Sequence, residues 1–170
     1  MACLHGEQGQ ASQQQPTLQG WPKMIRDRGL ERKFQDLVVK EGQRVGGFTF
    51  NFKANKVRAM KQHVGKGLWM TYVQRPSFTR VELYIYRGPD SYDDTFESFE
   101  KFHEYKSEIG AAFGRKLNWD ADPEKNACRI EVTYNGFDLH DQSCWDDFAK
   151  RMVSDMNKLN YALEPHYSNL

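Results

Sequence analysis

Cysteine is scarce in this 170-residue chain. There are three, Cys3, Cys128 and Cys144, an odd number without a Cys-x-x-Cys pair. Such usage argues against a disulfide framework, points to a reducing, cytoplasmic setting and makes a poor zinc site. Long apolar runs are also missing: nothing approaches the roughly 20 residues of a membrane span. No basic-then-apolar leader opens the sequence, so neither a membrane partner nor a secretory route is expected. The loops that mark nucleotide and acyl chemistry are absent too. "GGFTF" and "GKG" lack the spacing of phosphate-binding fingerprints, and no Gly-x-Ser-x-Gly elbow occurs. Position 107, four after His103, is serine, so the helical two-histidine zinc pattern is not met. The residues therefore nominate no catalytic group, no metal site and no cofactor.

Hydrophobic residues make up 39% and charged residues 28%, the balance of a soluble domain large enough to bury a core. Residues 1–20 are rich in Gln and Gly and hold few large apolar groups to offset ordering entropy, so a disordered tail is expected. Residues 21–170 are expected to form a single domain. The net charge of +1 conceals an asymmetry. From Trp21 to Arg80, Lys and Arg outnumber Asp and Glu by 14 to 4; from Val81 onward acids lead by 18 to 10. A basic segment of that kind is a candidate surface for polyanions unless the fold sets the acidic half against it.

Apolar residues at Leu30, Phe34, Leu37 and Val38 predict a helix that Gly42 stops. "GGFTFNFKAN" then alternates, with Phe48, Phe50 and Phe52 on one face, and reads as a strand. "GLWMTYVQRP" reads as a second strand ended by Pro76, with the basic stretch "KVRAMKQHVGKG" as the connection between them. "TRVELYIYRG" is a third strand. Arg80 and Glu82 lie two apart and project from one face; unpaired, neither belongs in a dry interior, where a lone charge costs several kcal/mol. One helix is predicted within "SYDDTFESFEKFHEYKSEIGAAFG", capped by Asp93 or Asp94 and ended by Gly114, then "ACRIEVTY" as a fourth strand before an Asn135-Gly136 turn, and a last helix from about Ser143 to Leu163. The order α-β-β-β-α-β-α predicts an α+β fold: an antiparallel sheet of about four strands with helices packed mainly on one face.

Two patterns bear on chemistry. Glu104-x-Lys106 matches a pair used by metal-dependent nucleases, but those place it on a strand; in a helix the two side chains diverge by roughly 200°. Basic residues run between the aromatic residues Phe52 and Trp69. There Lys53, Lys56, Arg58, Lys61 and Lys66 are candidates to neutralise phosphates, and Trp69 and Tyr72 to stack on unpaired bases. Cys128, in a core strand pattern, and Cys144, near His140, read as buried or inert thiols.

"RVELYI" (Arg80–Ile85), "KSEIGAAFGRKLNW" (Lys106–Trp119), "ACRIEV" (Ala127–Val132) and a closing helix reaching "LEPHY" (Leu163–Tyr167) occur in that order. In this the chain resembles the bacterial and archaeal family catalogued as domain of unknown function 4268, over roughly Leu30 to Tyr167. The resemblance implies association with proteins whose front end is similar to a restriction-type nuclease. It carries the expectation that any catalytic carboxylates come from a separate nuclease polypeptide. Arg80, Glu82 and Trp119 match the family's motifs and are candidates for a shared surface or a structural lock.

The expected function is a non-enzymatic binding module for DNA or RNA, tied to DNA processing or defence. Two alternatives stand beside it: a metal-dependent nuclease using Glu82 and Glu104, and an oligomerising protein using the open side of the sheet.

Overall fold

Asp27 opens the first helix, α1 (Arg28–Val45), by accepting a hydrogen bond from the Leu30 amide at 2.9 Å, and Glu31 in the first turn suits the positive helix end. The computed structural model describes residues 26–169, so the predicted tail at 1–20 lies outside the described residues. α1 buries Phe34 and Val38. It ends where Gly46 and Gly47 take positive φ, 78° and 71°, a region open to glycine at little cost.

Those two glycines decide the next segment against the sequence reading. Residues Gly47–Asn51 form a 3₁₀ turn, not a strand. Thr49 is buried, donating its hydroxyl to the Gly46 carbonyl and its amide to Asn157, so the chain curls back onto the helical layer. Phe48 and Phe52 meet edge to face at 5.7 Å while Phe50 points to solvent; the three rings do not share a face.

The first strand lies instead in the basic stretch read as a connection: β1 (Ala59–Gly65), followed by β2 (Leu68–Gln74) and β3 (Phe78–Ile85). β1 is an edge strand whose alternation is muted by Lys61, Gln62 and His63, so its period of two is faint in the sequence. The long helix predicted next is two, α2 (Tyr92–His103) and α3 (Lys106–Phe113), broken at Glu104–Tyr105, where Lys106 interrupts the apolar stripe. A fifth strand, the polar β4 (Asn118–Asp122), precedes β5 (Ala127–Asn135); α4 (Trp145–Leu163) and a 3₁₀ segment (Glu164–Asn169) close the chain.

The α+β architecture holds, with five strands rather than about four, in the order β1-β2-β3-β5-β4 and antiparallel throughout. Period two gives the sheet two different sides. Leu68, Met70, Val81, Leu83, Ile85 and Ile130 face the helices and join Phe34, Phe102, Met152 and Leu159 in one core. Among the described residues, the helices contribute their buried side chains to that face alone. The opposite face carries the polar chemistry. No helix among the described residues is long and apolar enough to cross a membrane.

Candidate nucleic-acid interface

The helix-free face is built from registered cross-strand rows. Ladder pairing sets His63 opposite Trp69, Trp69 opposite Tyr84, Tyr84 opposite Arg129 and Arg129 opposite Asp120. The adjacent row runs Lys61, Thr71, Glu82, Glu131, Asn118. Tyr86 extends the face beyond Tyr84, their rings near-parallel with centroids 6.2 Å apart. His63 meets Trp69 edge-on at 4.8 Å, and the Lys61 ammonium lies 4.7 Å from the centre of the Tyr84 ring, within cation–π range. His63 and Lys61 are exposed, and Trp69, Tyr84 and Tyr86 half-buried, so part of each ring meets solvent.

Beneath these groups lies an ionic floor. Arg80 Nε is 2.8 Å from Glu82 Oε2, and Arg80 Nη1 is 3.0 Å from Glu131 Oε2. Arg129 Nη1 holds Asp120 at 2.6 Å, and its Nε is 3.9 Å from Glu82 Oε2. The Arg80 contacts are close but misaligned: Arg80 Nε, Glu82 Oε2 and Glu131 Oε2 lack a hydrogen bond of good geometry. Proximity of charge, not directed bonding, therefore holds them. Burial pushes the Glu82 carboxyl above its ordinary range, while Arg80 and Arg129 pull against that shift. With Lys61 included, three cations face three carboxylates, so the centre of the sheet is close to electrically balanced.

Arg80 and Glu82 are thus partners, which is how both charges occupy a strand this deeply buried. Trp119 lies on the other side of the sheet: it projects from β4 toward the helices and packs against Phe99 at 5.8 Å and His103 at 5.4 Å. The structure does not bring it together with Arg80 and Glu82.

The candidate cations divide. Lys56, Lys61 and Lys66 border β1, an edge strand among the described residues, before its start, in its middle and after its end, all exposed, with Lys53 exposed in the preceding segment. Arg58 is not available in the same way: its Nε is 2.6 Å from Glu31 Oε1, a carboxylate shared with Arg26 at 2.7 Å. Lys66 shares a hollow of about 330 Å³ with Arg87 and Lys101 but also with Asp94 and Glu97, so the acidic half reaches this end of the strand. Tyr72 corrects the expectation of a stacking ring: it is 2% exposed, edge-on to Phe52 at 4.7 Å, and offers no face to a ligand. It sits at an even position on β2, the side the helices cover.

Glu104 is exposed at the end of α2 in the helical layer, and Glu82 lies on the far side of the sheet, so these two carboxylates are not assembled into one site. Among the described residues, no group of three or more His, Cys, Asp or Glu is placed to hold a metal ion. Cys128 is buried, and burial pushes its thiol up to about 11.

Sequence reading missed His63, Tyr84, Tyr86 and Arg129. The signal for the tyrosines was present: within "VELYIY" the positions Glu82, Tyr84 and Tyr86 alternate with an apolar set. The missing information was the cross-strand register that sets Tyr84 between Trp69 and Arg129.

Residues 45–167 match the model of the family described as Domain of unknown function (DUF4268). No curated protein matches the chain.

Proposed function

We propose, for a chain that belongs to the DUF4268 family, that the helix-free face binds single-stranded nucleic acid along β1, an edge strand among the described residues. The observation that carries this reading is the alignment of two features on neighbouring strands. Lys56, Lys61 and Lys66 follow β1, and the half-buried rings of Trp69, Tyr84 and Tyr86 lie beside them on β2 and at the end of β3. Cations at an edge track a phosphate backbone, and aromatic faces accept unpaired bases with little sequence preference.

A duplex would present its phosphates but keep its bases stacked and inaccessible to those rings, so preference for single strands is the mark of this site. The balanced ionic floor fixes the tyrosines and Arg129 in place without adding charge. Net attraction then comes from Lys53 and Lys56, together with Arg28, which lines the hollow beside α1 with Lys56. In this reading the protein holds a strand and any cleavage belongs to a separate nuclease polypeptide, the association that the family resemblance implies.

The test is fluorescence anisotropy with labelled oligo-dT, oligo-rU and a duplex of equal length at low and physiological salt. Single strands should bind more tightly than duplex, and affinity should fall as salt rises. Absence of binding at low salt, or affinity indifferent to salt, would remove the proposal.

A further inference from the structure

β4 is the other free edge of the sheet among the described residues, and what flanks it is unlike what flanks β1. An aromatic ladder runs along α2: Tyr92 and Phe96 have ring centroids 6.0 Å apart, and Phe96 and Phe99 are 6.2 Å apart. It steps across to Trp119 on β4, 5.8 Å from Phe99. Phe96 is 39% exposed, and Trp119 and Tyr92 are half-buried, so the ladder is an open apolar floor and not sealed core.

A hollow lies at each end of it. One, about 280 Å³, is lined by Lys106, Gly110, Lys116, Leu117, Asn118 and Trp119, at the start of β4. The other, about 490 Å³, is lined by Asp90, Tyr92, Asp93, Pro123, Glu124 and Asn126, past its end. One hollow includes Asn118 and Trp119 at the start of β4 and the other takes in Pro123 and Glu124 just past its end, so the aromatic ladder between them runs alongside the strand. The groove between α2 and β4 is therefore cationic at one end, apolar in the middle and anionic at the other.

We infer that this groove takes an extended segment of a partner protein, added as a sixth strand antiparallel to β4. Strand addition at a free edge supplies main-chain hydrogen bonds, and alternate side chains of the added strand fill the neighbouring groove. The direction follows from the pairing pattern, and the residue order from charge. Every pairing in the sheet is antiparallel, so the segment would begin at the Asp122 end and finish at the Asn118 end. Basic residues at its start would meet Asp90, Asp93 and Glu124. Apolar residues at alternate positions would rest on Phe96 and Trp119. Acidic residues, or a terminal carboxylate, would meet Lys106 and Lys116. The Lys106 ammonium already lies 5.6 Å from the Trp119 ring centre, beside the path of such a carboxylate. Asp120 and Asp122 on the edge would repel acidic strands, which confines pairing to segments of this polarity. The strand-binding face at β1 lies at the opposite edge, so this inference stands whether or not nucleic acid binds there.

The test uses two libraries of eight-residue peptides. One is built as basic residues, then alternating apolar residues, then acidic residues; the other has the charges reversed; both are randomised at the apolar positions. Selection on the intact protein should enrich the first library over the second by at least about tenfold. Selected peptides should shift the backbone amide resonances of residues 118–122. Trp119→Ala should weaken them by about tenfold or more. Because that change could also loosen α2, the surface triple variant Asp93→Lys/Lys116→Glu/Glu124→Lys provides the second arm. All three positions are exposed, and the variant should reverse the library preference. Equal enrichment of the two libraries, no enrichment of either, shifts confined to other strands, or an unchanged preference in the triple variant would each overturn the inference.

Discussion

Glu82 and Glu131 stand directly opposite each other across β3 and β5, and Arg80 closes on Oε2 of both. Two carboxylates in that relation repel unless a cation sits between them, and both are largely buried. Arg80→Ala should therefore cost about 3–5 kcal/mol at neutral pH, the range for stripping one partner from a buried charge cluster. The loss should shrink in acid, where protonation removes the repulsion. Urea denaturation of the variant at about pH 7 and about pH 4.5 checks this; a penalty independent of pH would mean the arginine acts only through packing.

The raised carboxyl of Glu82 makes a second, separable claim. A group bound more tightly to its proton in the folded state contributes stability below its unfolded value, and that contribution is lost as pH rises through the folded value. Glu82→Gln removes the titration while keeping the shape. The stability difference, variant minus parent, should therefore move in the variant's favour as pH climbs from about 4 toward neutrality. Unfolding free energies of both proteins across that window decide it, and a difference that moves the other way would overturn the burial argument.

If bases stack on the helix-free face, Trp69→Ala should weaken oligo-dT binding by about 1–3 kcal/mol, and Tyr72→Phe should leave it unchanged. Lys56→Ala should reduce the slope of log affinity against log salt by about 0.7, the increment for one phosphate contact on a single strand. Anisotropy titrations at several salt concentrations measure both. Equal losses at Trp69 and Tyr72 would point to a general effect on folding.

The 3₁₀ turn at Gly47–Asn51 separates three phenylalanines that a strand would have kept together. Phe52→Ala should cost about 3–5 kcal/mol, the usual range for emptying a buried aromatic site. Phe50→Ala, at a ring 54% exposed, should stay within about 0.5 kcal/mol. Thermal denaturation of the pair distinguishes the turn from a strand, in which both would be costly.

Gly67 and Gly114 both have positive φ, 70° and 90°, but only the first is also crowded: a Cβ there would lie 2.7 Å from Arg87 Cδ and 2.8 Å from the Tyr86 carbonyl oxygen. Gly114→Ala should cost about 1–2 kcal/mol from backbone strain alone. Gly67→Ala should cost more and should broaden the amide signals of β2 and β3 at the hairpin end. Similar penalties at the two sites would show that the hairpin yields more easily than its contacts suggest.

Much of the fold was legible because period two and period 3.6 are written in side-chain polarity wherever one face is buried. β2, β3, β5, α1 and α4 all announce themselves this way. β1 and β4 did not, since edge strands keep polar residues on both sides and so lose the alternation that marks a strand. The break between α2 and α3 showed only as a misplaced lysine at 106. Local sequence also misled at Phe48, Phe50 and Phe52, where two left-handed glycines override an alternating pattern.

The residues by themselves determined that one helical layer would cover one face of an antiparallel sheet, that the chain is basic early and acidic late, and that Arg80 and Glu82 had to share a side. Only the tertiary structure decided which charges cancel. Arg58 is taken by Glu31 and Arg80 by two glutamates, one of them 51 positions away, whereas Lys53 and Lys56 stay exposed beside the edge strand β1. The physical reason is that charge pairing depends on distances of a few ångströms across strands and layers, and the folded chain sets those distances independently of separation along the sequence.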